Sequence, residues 1–173
     1  FTRADLDGAG SYGFGQGLLA RDLDADGYTD LVVTDADESF GQQPGLFFVF
    51  GSASGLQPGT AKRVAASGLA GGGGALALVT GPAPILAVGA TEADGDGGAV
   101  LLYPLGADGL PSGDLTRLAQ GSGAPGTGSP GDAFGTTLAA SGSLLVVGAP
   151  GKDVGGARDA GAIVALAFGA GGE

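Results

Sequence analysis

The 173-residue chain contains no cysteine, histidine, methionine, tryptophan or asparagine. Without cysteine it has no disulfide framework, and without asparagine it has no acceptor for N-linked glycosylation. Neither Ser-His-Asp nor Cys-His catalytic machinery can be assembled without histidine, so we expect a protein that is not an enzyme. Because a reading frame begins with methionine, we also expect a processed product or an excerpt of a longer protein.

Basic residues and long apolar runs are scarce as well. Seven Lys and Arg stand against 18 Asp and Glu, which gives a net charge of −11. This charge disfavours nucleic acid and anionic membranes as partners and favours divalent cations. No apolar run approaches the roughly 18 residues of a membrane span, so we predict no membrane insertion.

Glycine is abundant, with 39 residues, and 9 prolines accompany it. Together they interrupt the chain so often that no segment has the length and composition of a long helix. The 43% of apolar residues occur instead in short runs between glycine-rich turns. The sequence therefore predicts an all-β protein.

An internal repeat organises these runs. Phe14-Gly15 recurs as Phe134-Gly135, and Gly72-Gly73 takes the matching place between them, so the period is about sixty residues. We predict a single β-propeller segment over residues 1–173, with repeats of approximately 1–56, 57–110 and 111–173. A β-sandwich would lack this period, and a calcium-loaded β-solenoid would need a nine-residue period that is not present.

Each repeat predicts a propeller blade of four antiparallel strands. Two apolar strands are separated by a glycine-containing turn, and a strand with an exposed arginine precedes each Phe-Gly position. We expect each arginine-bearing strand to complete the preceding blade at its outer edge, where the charge discourages aggregation. This pairing places Ala61 to Ala66 beside Leu46 to Phe50, and Leu115 to Ala119 beside Ala99 to Tyr103. The arginines are Arg3, Arg63 and Arg117.

Closed propellers usually need four to eight blades. We therefore predict that the three blades belong to a larger propeller, completed by more of the same polypeptide or by another subunit.

The segment "DLDADGYTD" holds aspartates on alternate residues directly before an apolar strand. Clustered carboxylates repel one another unless a cation lies among them. Oxygen ligands on a loop bent at Gly27 suit Ca²⁺ better than zinc, copper or Mg²⁺. An EF-hand would need a glutamate at the place of Val33, and strands rather than helices flank this loop. A solvated acidic turn is the alternative interpretation.

The stretch from Phe14 through "GLLARDLDADGYTDLVVTDA" to "GLFFVF", together with "GDAFGTTLAASGSLLVVGAP" in the third repeat, resembles the FG-GAP repeat of integrin α-subunit propellers and many secreted bacterial proteins. The resemblance implies an extracellular or secreted protein, cell-surface location included. The matching places of the second and third repeats, "VTGPAPI" and "AASGSLL", contain no carboxylate, so we expect one strong Ca²⁺ site. By this resemblance the calcium ligands are side-chain oxygens of four aspartates and the backbone carbonyl of Tyr28. The aspartates are Asp22, Asp24, Asp26 and Asp30. The string "EADGDGG", with Glu92, Asp94 and Asp96, is expected to be a plain turn at the opposite end of its blade.

The resemblance implies a non-catalytic module that serves as a scaffold and as a recognition or adhesion surface. A lectin-like or substrate-binding part of a secreted polysaccharide-active enzyme is the alternative, which a glycan array with and without calcium would distinguish. The expected surface for a protein or glycan ligand lies opposite the calcium loop, on the connections 34–44, 89–97 and 148–160. Its charged residues are Asp35, Asp37, Glu38, Asp153, Arg158 and Asp159.

Overall fold

Strands dominate the architecture of the chain. This computed structural model describes residues 2–7, 13–36, 43–69 and 72–169, and over those ranges twelve strands form three sheets. The first sheet contains β1 (Phe14–Arg21), β2 (Asp30–Asp35), β3 (Gly45–Val49) and β4 (Lys62–Ala65). The second contains β5 (Leu76–Val79), β6 (Ile85–Ala90), β7 (Ala99–Pro104), β8 (Thr116–Gln120) and the short β9 (Gly123–Ala124). The third contains β10 (Thr137–Ser141), β11 (Leu144–Ala149) and β12 (Ala162–Ala167).

Each sheet is a propeller-like blade whose strands follow one another in chain order. All pairings between β1 and β4, between β5 and β8 and between β10 and β12 are antiparallel, and β9 adds to β8 in parallel. In the first blade β3 pairs with β4, and in the second β7 pairs with β8. This confirms the predicted all-β class and the prediction that the arginine-bearing strand completes the preceding blade.

Among the residues that the structure describes, helix is confined to α1 (Arg3–Asp7), α2 (Ala93–Asp96) and a 3₁₀ turn at Pro58–Thr60. The prediction of an outer strand around Arg3 is wrong. The side chain of Asp5 accepts hydrogen bonds from the backbone N–H of Thr2 at 2.6 Å and from its hydroxyl at 3.0 Å. These bonds lower the pKa of Asp5 and fix a helical first turn, the capping arrangement that a Thr-x-x-Asp spacing encodes. In the described ranges no helix is long and apolar enough to span a membrane.

The hydrophobic core lies between successive blades. Side chains alternate between the two faces of a strand, so neighbouring residues on β6 enter different cores. Leu86 packs with the first blade, whereas Ala87 packs with the third. The core between the first and second blades includes Val32, Leu46, Phe48, Leu86, Val88, Leu101 and Tyr103, and the core between the second and third includes Val79, Ala87, Val100, Leu102, Phe134, Leu145 and Val147.

Glycines allow the backbones of successive blades to come into contact. A Cβ atom on Gly17 would lie 2.0 Å from the carbonyl oxygen of Gly73, and one on Gly89 would lie 2.1 Å from that of Gly135. The hydroxyl of Thr34 donates to the same Gly73 oxygen at 2.7 Å. Gly73 and Gly135 also have positive φ angles, of 92° and 98°. At the Phe-Gly place of the second and third repeats, glycine is therefore favoured both by its backbone conformation and by the adjacent blade, whereas a Cβ on Gly15 of the first repeat would meet nothing within 4 Å.

Gly135→Ala should destabilise the protein more than Gly131→Ala. Both glycines have positive φ, 98° and 89°, which costs an alanine on the order of 1–3 kcal/mol. A Cβ at position 135 would also lie 2.4 Å from the Ala99 carbonyl oxygen, whereas nothing lies within 4 Å at position 131. Urea unfolding at constant pH measures the two losses, and equal losses would contradict the close contact between blades.

The outward face of the first blade is covered by charged side chains. Arg3 on α1 forms an ion pair with Asp35 at the end of β2, and the two side chains are 3% and 0% exposed. The guanidinium of Arg3 lies 5.6 Å from the centre of the Phe47 ring, and that of Arg63 lies 5.8 Å from it. Arg63 is on exposed β4, as predicted, and Arg117 is exposed on β8. Arg3, in contrast, is buried and holds α1 against the sheet.

Removal of one partner of the Arg3–Asp35 pair should cost more than removal of both. A single Arg3→Met or Asp35→Ala substitution removes one half of a buried ion pair and leaves the other charge buried, which costs about 3–5 kcal/mol. Asp35 takes the place that buried Ala90 and Ala149 occupy in the other blades, so the site accommodates alanine.

We therefore expect the Arg3→Met/Asp35→Ala double variant to be more stable than Asp35→Ala alone, with unfolding free energies measured in urea. Additive losses in this double-mutant cycle would show that the pair is not coupled.

Candidate metal centre

The aspartate loop occupies residues 22–29, between β1 and β2 at one end of the first blade. The equivalent connection in the third blade is the two-residue turn 142–143, and in the second blade it is 80–84. Neither of these contains a carboxylate. Only the first of the three connections therefore combines the length and the acidic residues that a cation site needs.

Three carboxylates converge in this loop. Asp22, Asp24 and Asp30 each place one carboxylate oxygen so that all three lie within 4.8 Å of one another. Two oxygens that bind one Ca²⁺ at 2.3–2.6 Å are at most about 5 Å apart, so this spacing fits a shared ion. Asp30 is buried, Asp24 is half-buried and Asp22 is exposed. The cluster thus opens to solvent on one side.

Asp30 fixes the base of the cluster. Its two oxygens accept the backbone N–H groups of Leu23 and Gly51, each at 2.7 Å. Gly51 follows β3, so the carboxylate connects the loop to the end of the third strand. A Cβ at Gly51 would lie 2.4 Å from the Thr29 carbonyl oxygen, and glycine is therefore needed for this approach.

The backbone curls around the cluster. Ala25 and Gly27 have positive φ angles of 62° and 90°, a conformation that is costly for alanine. The N–H of Gly27 donates to Asp22 at 3.0 Å, and the N–H of Asp26 donates to Asp24 at 3.2 Å. These bonds orient the side chains of Asp22 and Asp24 inside the turn.

Negative charges surround Asp24. Its pKa is raised above the ordinary aspartate value by desolvation and then by the neighbouring carboxylates of Asp26, Asp30 and Asp22, against a lowering by the hydrogen bond from the Asp26 backbone. A divalent cation among these oxygens would offset the repulsion that raises the pKa.

Two predicted calcium ligands, Asp26 and Tyr28, are not part of the converging carboxylate group. Asp26 lies outside the group of three, and its Oδ1 accepts the backbone N–H of Tyr28 at 2.8 Å. The Tyr28 side chain is 43% exposed. Coordination by Asp26 and by the Tyr28 carbonyl therefore stays a prediction.

Leu23 connects the loop to the second blade, a role that the sequence reasoning missed. Its side chain is 7% exposed and packs in the core between the first two blades. A Cβ at Gly109, in the connection between β7 and β8, would lie 2.9 Å from the Leu23 Cβ. The available signal was one leucine on an otherwise polar loop, since an apolar residue between aspartates needs a buried place.

The string around Glu92 lies between β6 and β7, at the end of the blade opposite the aspartate loop, as predicted. It forms α2 rather than a plain turn. Glu92 itself is exposed.

The loops expected to recognise a ligand differ in their availability. Asp35 was expected on an open loop, but it is the last residue of β2. It is buried in its ion pair with Arg3 and is therefore not available to a ligand. Asp37 and Glu38 lie outside the described residues. The connection after β11 exposes its charged residues Asp153, Arg158 and Asp159.

Lys152 anchors that connection. Its ammonium group lies 2.7 Å from the Asp132 carboxylate and also donates to the Thr127 carbonyl. Asp132 is 2% exposed and accepts the N–H of Ser129 at 2.8 Å. The exposed tip of the connection is thus attached to a buried ionic contact.

Comparison with known proteins identifies the third repeat. Residues 124–164 match the FG-GAP repeat model, and this range extends from β9 through β10 and β11 into β12. No curated protein matches the chain. The chain therefore contains an FG-GAP repeat, and that repeat forms its third propeller-like blade.

Proposed function

We propose that the chain is a calcium-binding propeller segment of an extracellular protein, which serves as a non-catalytic scaffold for recognition. The observation that carries the proposal is the convergence of Asp22, Asp24 and Asp30 within 4.8 Å. The FG-GAP match supports the propeller-like scaffold.

The donor set favours Ca²⁺ over other divalent cations. It consists of hard carboxylate oxygens, and the chain has no histidine or cysteine to attract zinc or copper. Mg²⁺ demands an octahedron at 2.0–2.1 Å, whereas Ca²⁺ accepts six to eight oxygens in flexible geometry. A loop open to solvent on the side of Asp22 leaves room for water ligands.

The bound ion would stabilise the loop and its two attachments. Asp30 joins the loop to the end of β3 through Gly51, and Leu23 packs against the second blade. Extracellular sites of this type bind Ca²⁺ at about 10⁻⁴ to 10⁻³ M. An extracellular location would supply calcium in this range, so the site would be filled where the protein works.

The recognition surface proposed here is the connection between β11 and β12, at the opposite end of the blades. Asp153, Arg158 and Asp159 are exposed, and the N–H of Asp159 donates to Asp153 at 2.8 Å. The connection is held at its base by Lys152. An ordered, charged loop on a rigid blade suits contact with a polar protein or glycan ligand.

Calcium should raise the melting temperature, and Asp24→Asn should abolish the rise. A tenfold excess over the dissociation constant contributes about 1.4 kcal/mol, which corresponds to about 3–6 °C for a domain of this size. Asp26→Asn should keep part of the rise, because Asp26 lies outside the converging group. Melting in chelator and in millimolar calcium, followed by circular dichroism, measures each effect.

Asp96→Ala serves as the control, because α2 lies at the other end of its blade. This variant should keep the full calcium-dependent rise, and magnesium at equal concentration should give the parent a smaller one. A parent without any rise, or equal losses in Asp24→Asn and Asp96→Ala, would refute the proposed site.

A further inference from the structure

The third blade exposes the apolar face that the other blades bury. Leu46 on β3, Val100 on β7 and Ile163 on β12 occupy equivalent positions in the three blades. They pair with Thr34, Gly89 and Gly148, respectively, on the preceding strand. Leu46 and Val100 are 0% exposed because the next blade covers them, whereas Ile163 is 77% exposed. An isoleucine at this level of exposure is unusual on a sheet that is otherwise packed.

The central strand repeats this pattern. Val32 and Ala87 are fully buried against the following blade, whereas the equivalent Val146 is half-buried. Leu144, on the same face as Val146, is 41% exposed. The outward face of the third blade is therefore an unpartnered copy of an interface that the chain already makes twice.

Within the described residues, the edge of this blade also lacks the strand partner that the equivalent edges of the first two blades have. In the described residues β12 pairs with β11 alone, whereas β3 and β7 each pair with a following arginine-bearing strand as well. The two outer strands read KRVA and TRLAQ. A strand of this kind would continue the ladder at β12.

A second copy of this chain is not suited to cover the face. In each interface between blades, the outward face of one blade packs against the inward face of the next blade. On the second blade this inward face includes Leu101 and Ala90. On the first blade the matching positions are Phe47, beneath Arg3 and Arg63, and Asp35 in its ion pair. Head-to-tail docking of two copies would have to displace α1 and break that buried pair, at a cost of several kcal/mol.

We propose that the face formed by Leu144, Val146, Ile163 and Ala165, together with the free edge of β12, is the docking surface for one further blade of the same repeat type. The occupant supplies an arginine-bearing outer strand to β12 and an aliphatic face to Ile163. This inference rests on the proposed role as a propeller segment and is independent of the cation. Its test is separate from the calcium melts.

Cysteine labelling can test this surface cleanly, because the chain has no cysteine of its own. Ile163→Cys reports on the face, and Val154→Cys, at a position 51% exposed in the connection between β11 and β12, is the matched control. The probe is a second copy of residues 111–169 appended after residue 173. The connection from β12 to the added outer strand then consists of residues 168–173 of the chain and residues 111–115 of the appended copy. It has the same length as the natural connection 105–115 between β7 and β8.

The appended blade should slow the labelling of Ile163→Cys by about tenfold or more, because burial protects the thiol, and should leave Val154→Cys unchanged. Unchanged labelling of Ile163→Cys would overturn the proposal. In the unextended chain, labelling of Ile163→Cys should not depend on protein concentration. If it slows as the concentration rises while Val154→Cys does not, the occupant is a second copy and the proposed partner is wrong.

Discussion

The contact of backbone with backbone between successive blades is the constraint on which this structure depends. Gly17 faces Gly73, and Gly89 faces Gly135, at distances that leave no room for a Cβ atom. Glycine loses the most conformational entropy on folding, so these positions cost stability by themselves. The apolar faces that they bring together offset that cost, at about 1.5–3 kcal/mol for each large side chain buried. The glycines at these contacts are thus a requirement of blade packing.

The alternation of side chains along each strand gives every blade two packing faces. The second blade uses both, because Leu86 and Ala87 lie in different cores. The first and third blades each have one face that does not pack against the second blade, and these two faces differ. On the first blade this face is covered by the buried ion pair of Arg3 with Asp35, whereas on the third blade Ile163 is exposed. The three blades are therefore a directional array with one covered end and one open end.

The sequence predicted the repeat, the strand pairing and the acidic loop because all three depend on patterns within about ten residues or on a regular period. It failed at Arg3, where the repeat position favoured a strand but the local Thr2 and Asp5 spacing favoured a helix. It also assigned Asp35 to an open loop, because the ion pair with Arg3 joins distant parts of the chain. The FG-GAP resemblance implied that Asp22, Asp24 and Asp30 come together, whereas the separate position of Asp26 depends on backbone angles that the sequence does not specify.

The aspartate loop and the contact between blades share one residue, Leu23. Its N–H donates to Asp30, the buried member of the carboxylate group, and its side chain lies in the core between the first two blades. A cation that holds Asp30 in place would therefore also restrain Leu23 and its packing beside Gly109. Without a cation, repulsion among the carboxylates acts on the same short segment, which already contains Ala25 at positive φ. The position of the loop thus means that an ion bound at the solvent-exposed end of one blade can stabilise the interface between two.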